Sequence, residues 1–202
     1  ANAAAIGEMH YGNAKGMTNF IEITLGTGVG SGIVVNGQMV YGHDGFAGEL
    51  GHTCAVRYNG RQCNCGKVGC LETYASAIGV ARTAREWLDM SDEPSTLRSL
   101  EVITSKDVYD AAIAGDSIAK KVFEFTGQKL GESFADFVAF STPEAIILFG
   151  GLAEAGDLIM KPIVEAMEAN LLSIWKGGKV KVLRSGLKDS DAAILGAGAL
   201  AW

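Results

Sequence analysis

Proline and cysteine are scarce in this chain, and basic residues are outnumbered. There are 3 prolines against 27 glycines in 202 residues, so the glycines do not mark a proline-rich linker. Many of them stand at strand ends, a pattern that suits cradling a ligand. Lysine and arginine total 17 against 23 acidic residues, a net charge of −6, which argues against a nucleic-acid-binding surface. No apolar run approaches the roughly 20 residues a membrane helix needs. The first residues lack the basic stretch and long apolar core of a signal peptide. Repeats, blocks of like charge and low-complexity segments are missing, and no domain boundary is evident. With 48% apolar and 20% charged residues, the composition is that of a globular domain large enough to bury a core. All four cysteines fall between positions 54 and 70, with none elsewhere to pair with, which suits a reducing cytoplasm.

That cysteine cluster is the densest concentration of chemistry in the chain. Cys63, Cys65 and Cys70 supply three thiols within eight residues, and Gly66 and Gly69 permit the positive φ that a tight wrap requires. His52 is the natural fourth donor, because tetrahedral zinc takes soft thiolate and imidazole ligands from short, turn-prone backbone. The set reads as a Cys3His structural zinc site. Buried free thiols or a disulfide are the alternatives. Cys54 is the spare thiol, expected to be a small packed residue and also able to displace one of the four.

In chain order, ANAAAIGEMHYG reads as a helix already under way, with no start signal before it. Thr18–Leu25 reads as a buried strand. A glycine loop follows from Gly26 to Gly32, and then Ile33–Val35, an Asn36–Gly37 turn and a returning strand from Gln38 to Tyr41. Strand, glycine loop, strand, turn and strand describe an antiparallel meander. A P-loop is excluded, since no lysine ends the glycine run and a strand follows it. A dinucleotide fingerprint is excluded by the same missing helix. What remains is either a flexible hairpin tip or, favoured by four glycines at alternate positions, an anion nest of Gly26, Gly28 and Gly30 amides with the Thr27 hydroxyl, a phosphate-binding loop. Glu49 and His52 stand three apart among glycines, and Glu72 follows the last cysteine; such groups suit vicinal hydroxyls.

Further on, Glu72–Met90 reads as one helix, and a second is capped by Ser105. A long helix is capped by Asp116, with a core stripe of Ile118, Val122, Phe125, Leu130, Phe134, Phe137 and Val138. Ala145–Phe149 is apolar throughout, as in a strand buried on both faces. Gly150–Gly151 ends it, either as a simple turn or as a strand end of the kind where ligands commonly sit, before a helix from Asp157 to Leu172. Lys179–Leu183 alternates like an edge strand, and Asp189 to Asp191 caps a final small-residue helix.

GELGH at 48–52 and CNCGKVGCLE at 63–72 resemble the signature of the ROK family (repressors, open reading frames and sugar kinases). The likeness extends to the 25–32 loop, LETYASAIGVAR, ILFGG and AAILGAGALA, and so covers essentially the whole chain. ASAIGVAR is most similar to the bacterial glucokinase branch. The resemblance implies an α/β, actin-like ATPase (ribonuclease H-like) domain: a mixed sheet with an antiparallel meander, flanking helices and a zinc loop. Residues 1–202 would form the larger C-terminal domain of a ROK kinase, without its smaller N-terminal domain. It implies structural zinc at His52, Cys63, Cys65 and Cys70, and sugar hydroxyl contacts from Glu49, His52 and Glu72. Thr27 and Gly28 would face the phosphates of ATP with Mg2+, and Gly150 and Gly151 the adenosine. The general-base aspartate would stand immediately before Ala1, so that these 202 residues alone would not phosphorylate a hexose. A cytoplasmic homodimer is also implied. The rival reading is the sugar-sensing domain of a ROK repressor, and fructose or an N-acetylhexosamine could replace glucose as substrate.

Overall fold

The structure, a computed structural model, describes residues 1–187 together with Gly198. The predicted C-terminal helix after Asp191 lies outside the described residues. Among the described residues, five strands form one sheet in the order β3-β2-β1-β4-β5. The meander of β1 (Phe20–Leu25), β2 (Val29–Val35) and β3 (Gln38–Met39) is antiparallel, while β4 (Ala145–Phe149) and β5 (Lys181–Arg184) run parallel to β1. Asn36 and Gly37 both adopt positive φ, 52° and 74°, the backbone of a tight hairpin turn. Among the described residues, no helix is long and apolar enough to cross a membrane.

One register decides where a site can form. Leu25 pairs with Val29, and Thr24 lies beside Phe149. The carboxyl ends of β1 and β4 are therefore neighbours, and the segments that follow them, Gly26–Gly28 and Gly150–Gly151, share one rim of the sheet. Gly150 (φ 105°) presses so closely on Leu25 that a Cβ there would meet the Leu25 carbonyl oxygen at 2.6 Å.

Alternate residues of β1 serve opposite faces. Ile21, Ile23 and Leu25 enter the larger core with Val80 and Leu88 of α3 (Ala77–Met90), Phe123 and Phe134 of α5 (Ser117–Ser141), and Ile159 and Ile163 of α6 (Asp157–Asn170). Each fully buried phenylalanine contributes about 1.5–3 kcal/mol by leaving water. Phe123 takes the enclosed place expected for Phe125, which is half-buried. On the other face Phe20, Val34 and Ile147 form a smaller core with Ala5 of α1 (Asn2–Tyr11).

Several expectations change on folding. The glycine loop shrinks to Gly26–Gly28, because Gly30 and Gly32 belong to β2. Their size has a different cause: a Cβ on Gly32 would strike Ala5, and one on Gly30 would crowd Thr24 and Ala1. They are small so that α1 can lie against the sheet. The helix expected over 72–90 is broken into α2 (Glu72–Ala75) and α3, since Ser76 leaves helical geometry and its hydroxyl accepts from the Gly79 amide as the cap of α3. Ile78, in the first turn of α3, is exposed. α4 (Ser105–Ile113) is capped by Thr104 in a reciprocal pair with Asp107, not by Ser105. Asp116 caps α5 as expected. β3 has two residues where four were expected.

Glu22, on β1 under α1, is wholly buried, and neither carboxylate oxygen has a hydrogen-bond partner among the described residues. Burial, reinforced by the nearby charge of Glu8, pushes its pKa from 4.5 to about 8. The folded protein thus retains a proton that the unfolded chain releases. Stability is greatest below pH 4.5 with respect to this group and falls as pH rises through about 8, by on the order of a few kcal/mol. Glu22→Gln should remove that decline; urea unfolding at pH 6 and pH 9 measures it, and an unchanged slope between parent and variant would contradict the assignment.

Candidate functional site

The metal-ligand residues come from a segment with little regular structure. Leu50–His52 forms one 3-10 turn after the meander. Ser31 on β2 ties it down, donating to the Gly48 carbonyl and accepting from the Leu50 amide at 3.2 Å. From there the chain runs out to residue 60 and returns. Gly69 N donates to Arg61 O (2.8 Å), Cys63 N to Lys67 O (2.9 Å) and Leu71 N to Thr53 O (3.0 Å). Gly66 and Gly69 take positive φ of 91° and 81° at the bends, as their spacing among the cysteines predicts.

This path brings the ligand atoms of His52, Cys63, Cys65 and Cys70 within 4.8 Å of one another. Cys63 Sγ lies 3.7 Å from His52 Nδ1, and Cys65 Sγ lies 3.6 Å from Cys70 Sγ. Tetrahedral zinc with Zn–S bonds of about 2.3 Å places its sulfurs about 3.8 Å apart, whereas a disulfide requires about 2.0 Å. All four cysteines are free. The four residues therefore lie close enough together to bind a metal, and the donor set fits zinc. Burial pushes the Cys70 thiol up to about 12, aided by Cys65 and Cys63. The Lys67 backbone amide, foremost, lowers that of Cys65. A bound cation would draw the remaining proton off. Cys54 is exposed and outside the cluster; it is neither the packed residue expected nor a fifth donor.

Beside the metal cluster lies a cleft of about 420 Å³ at the carboxyl ends of β1 and β4, lined by Gly26, Gly28, Gly30, Glu49, His52, Glu72 and Gly150. His52 stands between the two sites, its Nδ1 toward Cys63 and its Nε2 3.9 Å from Glu49 Oε2. Glu72, first residue of α2, accepts from the Val29 amide at 3.0 Å, and its other oxygen is 4.0 Å from Cys63 Sγ. A Cβ at Gly28 would collide with Glu72 Oε2, so a side chain there would displace that carboxylate from its place.

The Gly26–Gly28 turn divides this cleft from a second one. On its far side, Gly26, Thr27, Lys106, Tyr109, Gly151 and Leu152 line a cavity of about 350 Å³. The sequence-derived residues thus separate into two groups: Glu49, His52, Glu72, Gly28, Gly30 and Gly150 in the first cleft, Thr27 and Gly151 in the second, with Gly26 bordering both. The carboxylates make the first side hostile to phosphate and suited to hydroxyls. Lys106 and Tyr109 on α4 carried no signal in the sequence. Nor did Arg61, which is buried with its guanidinium 4.6 Å from the centre of the Tyr74 ring.

A model of the ROK family matches residues 1–202. The chain belongs to that family. It is 42% identical to a glucokinase of Halalkalibacterium halodurans over 98% of this chain and 60% of that protein. The crystal structure of a ROK family glucokinase from Streptomyces griseus, in complex with glucose and AMPPNP, superposes with a TM-score of 0.88 at 34% identity, over 99% of this chain and 65% of that one. A ROK family transcriptional regulator, a homologue of the E. coli MLC protein, gives 0.87 at 30% identity, over 98% of this chain and 49% of that one. The chain spans about 60% of the length of the curated glucokinase it matches. The sheet order and these neighbours establish the actin-like ATPase fold of the ROK proteins.

Protein purified without chelator should carry about one zinc per chain by elemental analysis. Cys70→Ser should lose the metal while Cys54→Ser keeps it; retention by Cys70→Ser would remove that residue from the ligand set.

Proposed function

We propose that this chain is the larger, C-terminal domain of an ATP-dependent hexose kinase, with glucose as the favoured substrate. One observation carries the reading. A hydroxyl-binding cleft and a cavity of nucleotide-binding size share a single glycine turn as their common wall, which is what transfer between a sugar and a phosphate needs. The 42% identity to a glucokinase supports it.

In this reading Glu49, His52 and Glu72 take the hexose hydroxyls in fixed directions. The Gly26–Thr27 backbone, with the Thr27 hydroxyl, holds the nucleotide phosphates, and Gly151 lets the adenosine lie close to the end of β4; Gly28 and Gly150, given to the nucleotide by the family resemblance, line the hexose side instead. ATP would enter with Mg2+, which offsets phosphate charge during transfer. Zinc, held by His52, Cys63, Cys65 and Cys70, supplies no chemistry, since four protein ligands leave no position for substrate. Those residues orient the imidazole, leaving Nε2 for the sugar. The general base would be an aspartate immediately before Ala1. The first turn of α1 supports this, because Ala1 lies against Gly30 at the cleft. The protein would act as a cytoplasmic homodimer.

A ROK repressor's sugar-sensing domain is the second reading, favoured by the superposition on the transcriptional regulator. An assay of the longer protein separates them: the kinase couples hexose to ATP consumption, and a sensor binds sugar without turnover. Residues 1–202 alone should show no turnover in that coupled assay, and substantial activity would refute the division of labour proposed here. Glu72→Gln and Glu49→Gln should each raise the hexose KM about tenfold to a hundredfold, the effect of losing one charged hydrogen bond, with the ATP KM little changed.

A further inference from the structure

We infer that Arg61 is a positioning residue for Glu72, linking the metal loop to the hydroxyl-binding cleft; this rests on the kinase reading above. Arg61 is 8% exposed, and its side chain turns away from the loop that carries it. Nη1 donates to Thr73 O (2.7 Å) and Gly79 O (3.3 Å), and Nη2 to Thr83 Oγ1 (2.8 Å) and Glu86 Oε2 (2.6 Å). Its backbone amide donates to the Tyr74 hydroxyl at 2.8 Å, beneath the ring that the guanidinium covers. Every one of these partners lies in α2 or α3.

The loop does not need this side chain to keep its path, because its own backbone bonds and the four-ligand cluster define it. α2 is in the opposite position. It is a single turn of four residues without a side-chain cap, too short to persist unaided, and Ser76 breaks its continuity with α3. Arg61 grips a carbonyl of each helix, Thr73 in α2 and Gly79 in α3, and so fixes the angle at the break. Glu72 is the first residue of α2, and its bond to Val29 N is a contact with the glycine turn's exit. A shift of α2 by an ångström would break that bond and misdirect the carboxylate, on the scale that costs catalysis heavily. Lysine cannot replace the arrangement, since one ammonium cannot span acceptors that a planar guanidinium reaches together.

The test compares Arg61→Met and Arg61→Lys with the parent in the full-length protein. Zinc content should stay at about one per chain while the hexose KM rises about tenfold to a hundredfold, as for outer-shell partners elsewhere, and the ATP KM changes little. Arg61→Lys should recover only part of the loss; if Arg61→Met fails to fold, Arg61→Lys decides alone. A readout independent of turnover is the Val29 amide resonance in 15N-labelled protein, which should move in both variants toward its position in Glu72→Gln. An unmoved Val29 resonance, an unchanged hexose KM, or activity lost only in proportion to zinc would overturn the inference. If the parent itself neither binds nor phosphorylates hexose, the kinase reading fails, while the Val29 resonance still decides whether Arg61 sets Glu72.

Discussion

Three sulfurs and one imidazole nitrogen drawn within 4.8 Å of one another are the constraint on which this molecule's working end depends. The segment from Gly42 to Leu71 contains one 3-10 turn and two isolated bridges, so its scattered backbone bonds act without a helix or a strand to organise them. Gathering four donors around a common point replaces the missing secondary structure. It also fixes which nitrogen of His52 faces inward, and so which faces the cleft. Burial pushes the Cys70 thiol up while the Lys67 amide lowers that of Cys65, the difference between a buried and a surface member of one donor set.

The scaffold around this loop performs a different task. Parallel pairing of β1 with β4 aligns two strand ends, and the antiparallel return of β2 folds the chain back against the first of them. Two binding regions can then share a rim without either being built from a long loop. α1 approaches the same rim because Gly30 and Gly32 leave room for Ala1 and Ala5. Fold and site are thus joined through small residues and strand register rather than through charge.

Much of this was legible in the residues. The cysteine spacing named the four residues that gather closely enough to bind a metal, because donor type and turn glycines constrain each other closely. The apolar block at 145–149 named a central strand, because burial on both faces leaves no polar position. What was not legible depended on tertiary contact. Four glycines at alternate positions look alike in a sequence, yet two form a turn and two make way for a helix. Ser76 has the composition of a helix interior until its hydroxyl caps α3. Arg61 looks like a surface arginine, since nothing local reveals that its acceptors lie 12 to 25 residues further on. Lys106 and Tyr109 meet the glycine turn only through the packing of α4 against α3 and α5.

The glycine turn itself has a consequence for how the two cavities relate. A partition one backbone strand thick cannot deform on one side only. Glu72 grips its exit from one direction through Val29, and Ala77 N holds Gly26 O at 2.8 Å from another. Whatever moves the turn on one side therefore moves the wall of the other cavity as well.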